Sequence, residues 1–224
     1  MRIAKIIGVT ILGMLTLSGV MVADVWGANP EFLGVLPAAF TTTGGGALAF
    51  TTLSGATFSC TSSAGSGSLT SPKVGTFDKL LLGCSTKILG STVKCTGLND
   101  KVEGSILVKG TYRLAYAAGT GTAVLVLTFE EIHYECSIAL VLVRGCLLGV
   151  FTPTNKKTKT ATETFKQKGG DQELTSYEEA KGDKKPIKCE LELSLSLNKE
   201  HKFEMAAFEG TTTVTFKEEI EIMA

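Results

Sequence analysis

The amino-acid sequence predicts an all-β protein, an antiparallel β-sandwich or a partly closed barrel of about ten to fourteen strands with disulfide bonds. Between residues 121 and 155, three short runs rich in Val, Leu and Ile follow one another, separated by charged and turn-forming residues. Runs of this length and composition are typical of β-strands. Two later segments alternate between apolar and polar residues, and no long stretch after the leader has the 3.6-residue period of a helix.

The N-terminal residues have the composition of a secretory signal peptide. Arg2 and Lys5 precede an apolar run over residues 6–23, and a short segment that passes from polar to small residues follows. Gly27 and Ala23 are the two positions that favour cleavage, and we expect it after Gly27. Residues 1–27 are then the signal, and residues 28–224 form one secreted all-β domain. The alternatives are an uncleaved signal that anchors the chain in the membrane and two small β-domains divided near residue 100.

The charge balance excludes a general electrostatic partner. The chain has 224 residues, of which 44% are hydrophobic, and Lys plus Arg equals Asp plus Glu at 22 each. A net charge near zero gives no case for nucleic acid or for a bulk anionic surface.

The cysteines indicate disulfide bonds. They stand at Cys60, Cys84, Cys95, Cys136, Cys146 and Cys189, and none forms a C-x-x-C motif. In an exported chain, disulfides are favoured over a zinc site, which uses closely spaced ligand pairs. The sequence does not choose among the possible connectivities. Our preference joins Cys84 with Cys95 across a short loop and Cys60 with Cys136.

The first third of the chain predicts strands joined by tight turns. Residues 32–72 carry no charge and are rich in Thr, Ser, Gly and Ala. The β-forming residues on either side of Ser54-Gly55 predict a hairpin of residues 47–53 and 56–61. The glycines at 44–46 lack the Lys-Ser/Thr that a phosphate-binding loop requires.

The middle of the chain predicts further strands. Segments 75–83 and 91–96 flank Cys84, and residues 102–117 predict a half-buried strand bent at Gly110. Its apolar side is formed by Val102, Ile106, Val108, Tyr112, Leu114 and Tyr116. Residues 124–127 and 138–143 are apolar on both faces, which predicts central strands.

The last third is more charged. Gly169-Gly170 predicts a turn, and residues 178–185 predict a solvated loop. Residues 187–197 alternate apolar and polar positions and give the clearest strand prediction, and residues 214–222 predict a last amphipathic strand.

Glu131, His133 and Glu135 are the candidate metal ligands. They alternate along one predicted strand, so their side chains share a face. Neighbours on such a face start roughly 6.5–7 Å apart, so a cation would need further ligands from another strand. The alternative is a solvated strand face. A hydrolase would need a cleft that gathers these residues with groups from distant strands, and no G-x-S-x-G motif is present.

Lys156, Lys157 and Lys159 are the candidate anion-binding residues, suited to an anionic cell-wall polymer. The alternative is a solvated sheet edge whose lysines prevent aggregation. Glu218, Glu219 and Glu221 lack the oxygen-rich glycine loop of a calcium site. No cofactor is expected.

Several short motifs carry a family resemblance: residues 58–67, Gly83-Cys84, Cys95, residues 143–145 and 152–156, and Phe165-Lys166-Gln167 before Gly169-Gly170. In these the chain resembles a group of uncharacterised secreted β-rich proteins common in soil actinobacteria, which have no assigned activity. The resemblance implies export and a β-rich fold, and no catalytic residue. Its members usually carry cysteines that match the first four here, which implies that Cys146 and Cys189 are an added, mutually bonded pair.

The expected function is a non-enzymatic extracellular module with a structural, adhesive or binding role. Its expected partner is a cell-wall polymer or another extracellular protein, with no membrane contact after signal cleavage. The alternatives are a hydrolase on a β-scaffold and a carrier that holds an apolar ligand in a barrel cavity.

Overall fold

A computed structural model describes residues 29–197 and 200–224, and the predicted signal peptide lies outside them. The described chain is all-β and antiparallel, as predicted. Its seventeen strands exceed the expected ten to fourteen, because short breaks divide several long strands. The strands are β1 (Glu31–Leu33), β2 (Ala38–Thr52), β3 (Thr57–Leu69), β4 (Val74–Leu82), β5 (Ser85–Ile88), β6 (Ser91–Gly97), β7 (Ser105–Ala117), β8 (Ala123–Phe129), β9 (Ile132–Cys136), β10 (Ala139–Thr152), β11 (Thr158–Phe165), β12 (Gln167–Lys168), β13 (Asp171–Gln172), β14 (Ser176–Glu178), β15 (Ile187–Lys188), β16 (Leu191–Ser196) and β17 (Glu204–Met223).

Twelve of these strands form a closed, elongated barrel with eight wall positions. Four positions are single long strands, β2, β3, β10 and β17. The other four are filled by two segments each, the consecutive strands β4 with β5, β6 with β7 and β8 with β9, and the separated strands β11 with β16. Neighbouring positions follow chain order, and the antiparallel pairing of β17 with β2 closes the ring. The topology is therefore that of an up-and-down barrel, which leaves no open edge in the wall.

Glycines facing the barrel interior make room for aromatic rings. A Cβ on Gly67 would collide with the ring of Phe40, and one on Gly75 would collide with the ring of Tyr112. Because a ring can lie directly over a residue that has no side chain, the Gly-rich, uncharged segment of β2 and β3 suits a narrow barrel.

Two groups of aromatic rings fill the interior. The group near the chain termini contains Phe32, Phe40, Phe77, Tyr112, Phe151 and Phe216, joined by edge-to-face or tilted contacts. The group towards the other end contains Phe50, Phe58, Tyr134, Phe165 and Phe208. Such contacts add to the stabilisation that burial of large apolar surfaces provides.

Three disulfides cross-link the structure, and no described cysteine is free. The bonds are Cys60–Cys84, Cys95–Cys136 and Cys146–Cys189. The third confirms the predicted pair. The predicted Cys84–Cys95 and Cys60–Cys136 bonds are wrong, because the four cysteines lie in one row across four adjacent wall positions. Cys60 and Cys136 stand at opposite ends of this row, roughly three strand spacings of ~4.8 Å apart, which is too far for a disulfide.

Residues 166–190 form an insertion between β11 and β16 that covers the outside of the wall. Tyr177 and Cys189 from the insertion pack with Ala115, Val124 and Leu148 of the wall in a second, smaller core. The Glu178 carboxylate accepts hydrogen bonds from the Gly119 and Gly182 backbone amides, at 3.0 and 2.9 Å. The insertion is thus fastened to the barrel by a disulfide, by packing and by this carboxylate.

Several sequence-predicted strands need correction at their ends. The hairpin around Ser54-Gly55 is confirmed, and so is the burial of residues 124–127 on both faces. Val102 lies outside β7 and is exposed, and Ile138 is exposed in the turn between β9 and β10 rather than buried. The segment 187–197 is divided between β15 and β16, because β15 pairs with the insertion and β16 with the barrel. Within the described residues, no helix is long and apolar enough to span a membrane.

Candidate functional site

A surface cleft of about 460 Å³ opens where two neighbouring wall positions are broken. One break is the loop between β6 and β7, and the other separates β8 from β9. The cleft is lined by Gly97, Leu98, Asn99, Asp100, Leu107, Lys109, Glu130, Glu131, Ile132 and His133. It therefore holds two of the three predicted metal ligands.

Glu131 and His133 form a direct contact at the edge of this cleft. His133 Nε2 lies 2.6 Å from Glu131 Oε1, and both side chains are partly exposed. Glu135 lies one further alternate position along the same face, outside the cleft lining. Asp100 is engaged by the backbone, since its Oδ2 accepts a hydrogen bond from the Leu107 amide at 2.8 Å. In the part of the chain that the structure describes, no cluster of three or more His, Cys, Asp and Glu side chains is arranged to hold a metal.

The candidate anion-binding lysines lie beside acidic residues. Lys157 and Lys159 line an open groove together with Glu218, Glu219 and Glu221, and Lys156 is exposed next to them. The two clusters meet because β11 pairs with the end of β17, with Thr158 opposite Ile220. Opposite charges on one surface weaken the field that would attract a polyanion.

The end of the barrel opposite the chain termini carries exposed aliphatic side chains. Four connections meet there: β2 to β3, β5 to β6, β9 to β10, and β16 to β17. We call the exposed side chains on these connections the tip surface. Its members are Leu53 (52% exposed), Leu89 (94%), Ile138 (73%) and Leu197 (55%), and Leu195 at the end of β16 lies next to them (39%).

The backbone at two of these tips is in an unusual conformation. Leu89 and the following Gly90 both have positive φ, +48° and +82°, and Ser137 before Ile138 has φ +57°. Positive φ is unfavourable for a branched side chain such as leucine, and hairpin turns of this kind normally use Asn or Gly. The turn at Leu53 is fixed from β17, because Ser54 Oγ donates to Glu204 Oε1 at 2.8 Å.

A polar pair lies inside the barrel between the two aromatic groups. Lys79 on β4 and Glu163 on β11 face each other across the interior, with Nζ and Oε2 3.6 Å apart. Burial raises the pKa of the Glu163 carboxyl, and the positive charge of Lys79 opposes that shift. Burial also raises the pKa of the Tyr112 phenol, and the negative charge of Glu163 adds to this effect.

This pair was not predicted, although the sequence pattern contains a signal for it. Lys79 lies between Phe77 and Leu81 and Glu163 between Ala161 and Phe165, at positions with the parity of buried residues. A charge on the buried parity of a strand indicates an internal partner. The tip surface had no comparable signal, because exposed aliphatic residues in turns are common.

Comparison of the chain with models of protein families, with curated proteins and with solved structures gives no match. The functional assignment therefore depends on the sequence and the geometry described above.

Proposed function

We propose that the chain is an exported, non-enzymatic binding module whose tip surface contacts another extracellular protein. The signal-like leader and the three disulfides support export, because disulfides form and persist in oxidising compartments. The proposed mature protein is a rigid barrel that presents its loops on a cross-linked wall.

The observation that carries this proposal is the exposure of Leu89. It combines an almost fully exposed apolar side chain with a strained backbone. The backbone strain costs stability, and the exposed side chain contributes nothing to the interior, so a contact with a partner is the simplest reason for a leucine at this position. Leu53, Ile138 and Leu197 extend the same apolar surface around the barrel end.

The barrel interior favours a surface contact over ligand transport. The cavity among its interior aromatic side chains is about 30 Å³, whereas pockets for organic ligands are on the order of 300–1,000 Å³. Aromatic side chains fill the space that a carrier would leave open.

Photo-crosslinking tests the tip surface. A photoreactive residue is introduced at position 89 or 138, and at position 102 as an exposed control outside the tips, in cultures that express the natural gene. We expect an adduct with one extracellular protein from positions 89 and 138, lost when Leu53 and Leu197 are replaced by Ser. Equal labelling from position 102, or no adduct, would contradict the proposal. An adduct with a second copy, or sedimentation with phosphatidylcholine vesicles, would assign the surface to self-association or to lipid instead.

A second candidate function is a hydrolase at the cleft, favoured by one observation. The Glu131–His133 contact in a concave site is an arrangement in which a carboxylate orients an imidazole that acts as a general base. An enzyme of this kind would lose most activity towards chromogenic esters or glycosides in both His133→Asn and Glu131→Gln variants. Absence of activity in the wild-type protein, or activity that survives both substitutions, would remove this candidate.

A further inference from the structure

The polar pair inside the barrel has an incomplete set of hydrogen bonds. Lys79 Nζ donates to Thr212 Oγ1 at 3.2 Å. Its 3.6 Å separation from Glu163 Oε2 is longer than a direct hydrogen bond of about 2.7–3.2 Å. The hydroxyls of Thr42 and Tyr112 are buried and have no partner among the described residues. Because buried polar groups are almost always hydrogen-bonded, these groups require a further partner.

A cavity of about 30 Å³ touches all four of these residues. Thr42, Lys79, Tyr112 and Glu163 are among its lining residues, and apolar side chains such as Phe77 and Leu125 form most of the rest. A water molecule needs roughly 10–15 Å³ of such space and two to four polar partners. The cavity is thus large enough for about one or two waters and too small for an organic ligand.

The chemistry of the lining identifies the kind of occupant. One ammonium and one carboxylate cancel in charge, and the two hydroxyls can each donate or accept. A neutral molecule that both donates and accepts hydrogen bonds fits this set, whereas a cation or an anion would unbalance it.

We propose that this cavity is a buried hydration site, in which one or two water molecules bridge Lys79, Glu163, Thr42 and Tyr112. The site places a water-linked ion pair in an otherwise aromatic interior. It accounts for the two buried hydroxyls that have no partner among the described residues.

Removal of the hydroxyl groups tests the proposal, because the direction of the change in the unfolding equilibrium constant depends on whether water is bound. Thr42→Val and Tyr112→Phe keep the shape of each side chain and remove its hydroxyl. If the hydroxyls bind water, each variant should raise the unfolding equilibrium constant several-fold, because hydrogen bonds of the folded state are lost. If they have no partner, their removal should be neutral or should lower that constant.

Tyr134→Phe is the matched control. The Tyr134 hydroxyl is also buried without a protein partner, but its neighbouring cavity is only about 10 Å³ and no charged side chain lines it. We expect this variant to be neutral or more stable than the wild-type protein. The proposal would be overturned if the stability changes of Tyr112→Phe and Thr42→Val matched that of Tyr134→Phe.

A high-resolution crystal structure of the folded protein gives the direct readout. We expect ordered water within hydrogen-bond distance of Tyr112 Oη and of the Glu163 carboxylate. A cavity without such density would overturn the proposal. So would an intact mass lower by one water with a peptide joining Lys79 to Glu163, since the two side chains would then have condensed to an amide.

Discussion

At the scale of single residues, a substitution of Leu89 should change stability and partner binding in opposite directions. Its positive φ costs the folded state free energy that asparagine or glycine would not cost to the same degree. Leu89→Asn should therefore raise the free energy of unfolding by roughly 0.5–1 kcal/mol. In a protein with the photoreactive residue at position 138, the same substitution should abolish crosslinking to the partner. Denaturant unfolding measures the first effect, with Leu53→Asn as the control, because Leu53 is exposed without positive φ. Equal stability changes in the two variants would contradict the strain at position 89.

The buried Glu163 carboxyl should make the stability of the fold decrease as pH rises. Its raised pKa means that the folded protein binds this proton more tightly than the unfolded chain does. The resulting contribution to stability is fully present below the ordinary value of 4.5 and is lost as pH rises through the raised pKa.

We therefore expect the free energy of unfolding of the wild-type protein, minus that of Glu163→Gln, to fall as pH rises from 4.5. Chemical denaturation of both proteins across this pH range measures the difference. A difference that stays constant or grows with pH would show that the carboxyl is not buried as described.

At the scale of elements, the Gly-rich β2–β3 pair depends on which glycines face inwards. Gly67→Ala would press a methyl group against the Phe40 ring and the backbone of Thr76. We expect a loss of about 1–3 kcal/mol, typical of overpacking. Gly45→Ala is the matched control on the paired strand, since nothing lies within 4 Å of its Cβ position and its φ is ordinary. Thermal unfolding that affects both variants alike would argue against the interior position of Gly67.

The insertion should open without unfolding the barrel. The Cys146→Ser/Cys189→Ser double variant removes the disulfide that ties residues 166–190 to β10. Removal of such a bond typically costs about 2–4 kcal/mol. Hydrogen exchange should accelerate in residues 171–190, while β2, β3 and the other ring strands keep their protection. Uniform acceleration throughout the ring would mean that the bond stabilises the whole barrel.

The element scale also shows how far the sequence could predict the fold. Composition and hydrophobic period predicted the all-β class and the Ser54-Gly55 hairpin. The Cys146–Cys189 bond was predicted from the family resemblance alone. The closure of the barrel could not be predicted from the sequence, because the pairing of β17 with β2 joins residues more than 150 positions apart. The two wrong disulfides have a different cause. Cys84 does lie opposite Cys95, but the pairing of β3, β5, β6 and β9 gives each of them a second cysteine on its other side, and the sequence does not show this pairing.

At the scale of the whole molecule, the closed barrel decides which candidate site residues lie close together. Glu131 and His133 do meet in a cleft, because breaks in two adjacent wall positions open there. The candidate anion site was weakened by Glu218, Glu219 and Glu221, which strand pairing places next to the lysines. The tip surface arises only when all four connections meet at one end of a closed barrel, so no local pattern predicts it.

Disulfide mapping of the protein recovered from the culture medium tests the whole account most directly. Peptide masses before and after reduction should show cleavage between residues 23 and 28, no free thiol, and the bonds Cys60–Cys84, Cys95–Cys136 and Cys146–Cys189. That result would support both the export of the chain and the strand arrangement of the closed barrel. A Cys84–Cys95 bond, free thiols, or a chain retained in the cell with its leader intact would contradict the exported, cross-linked barrel.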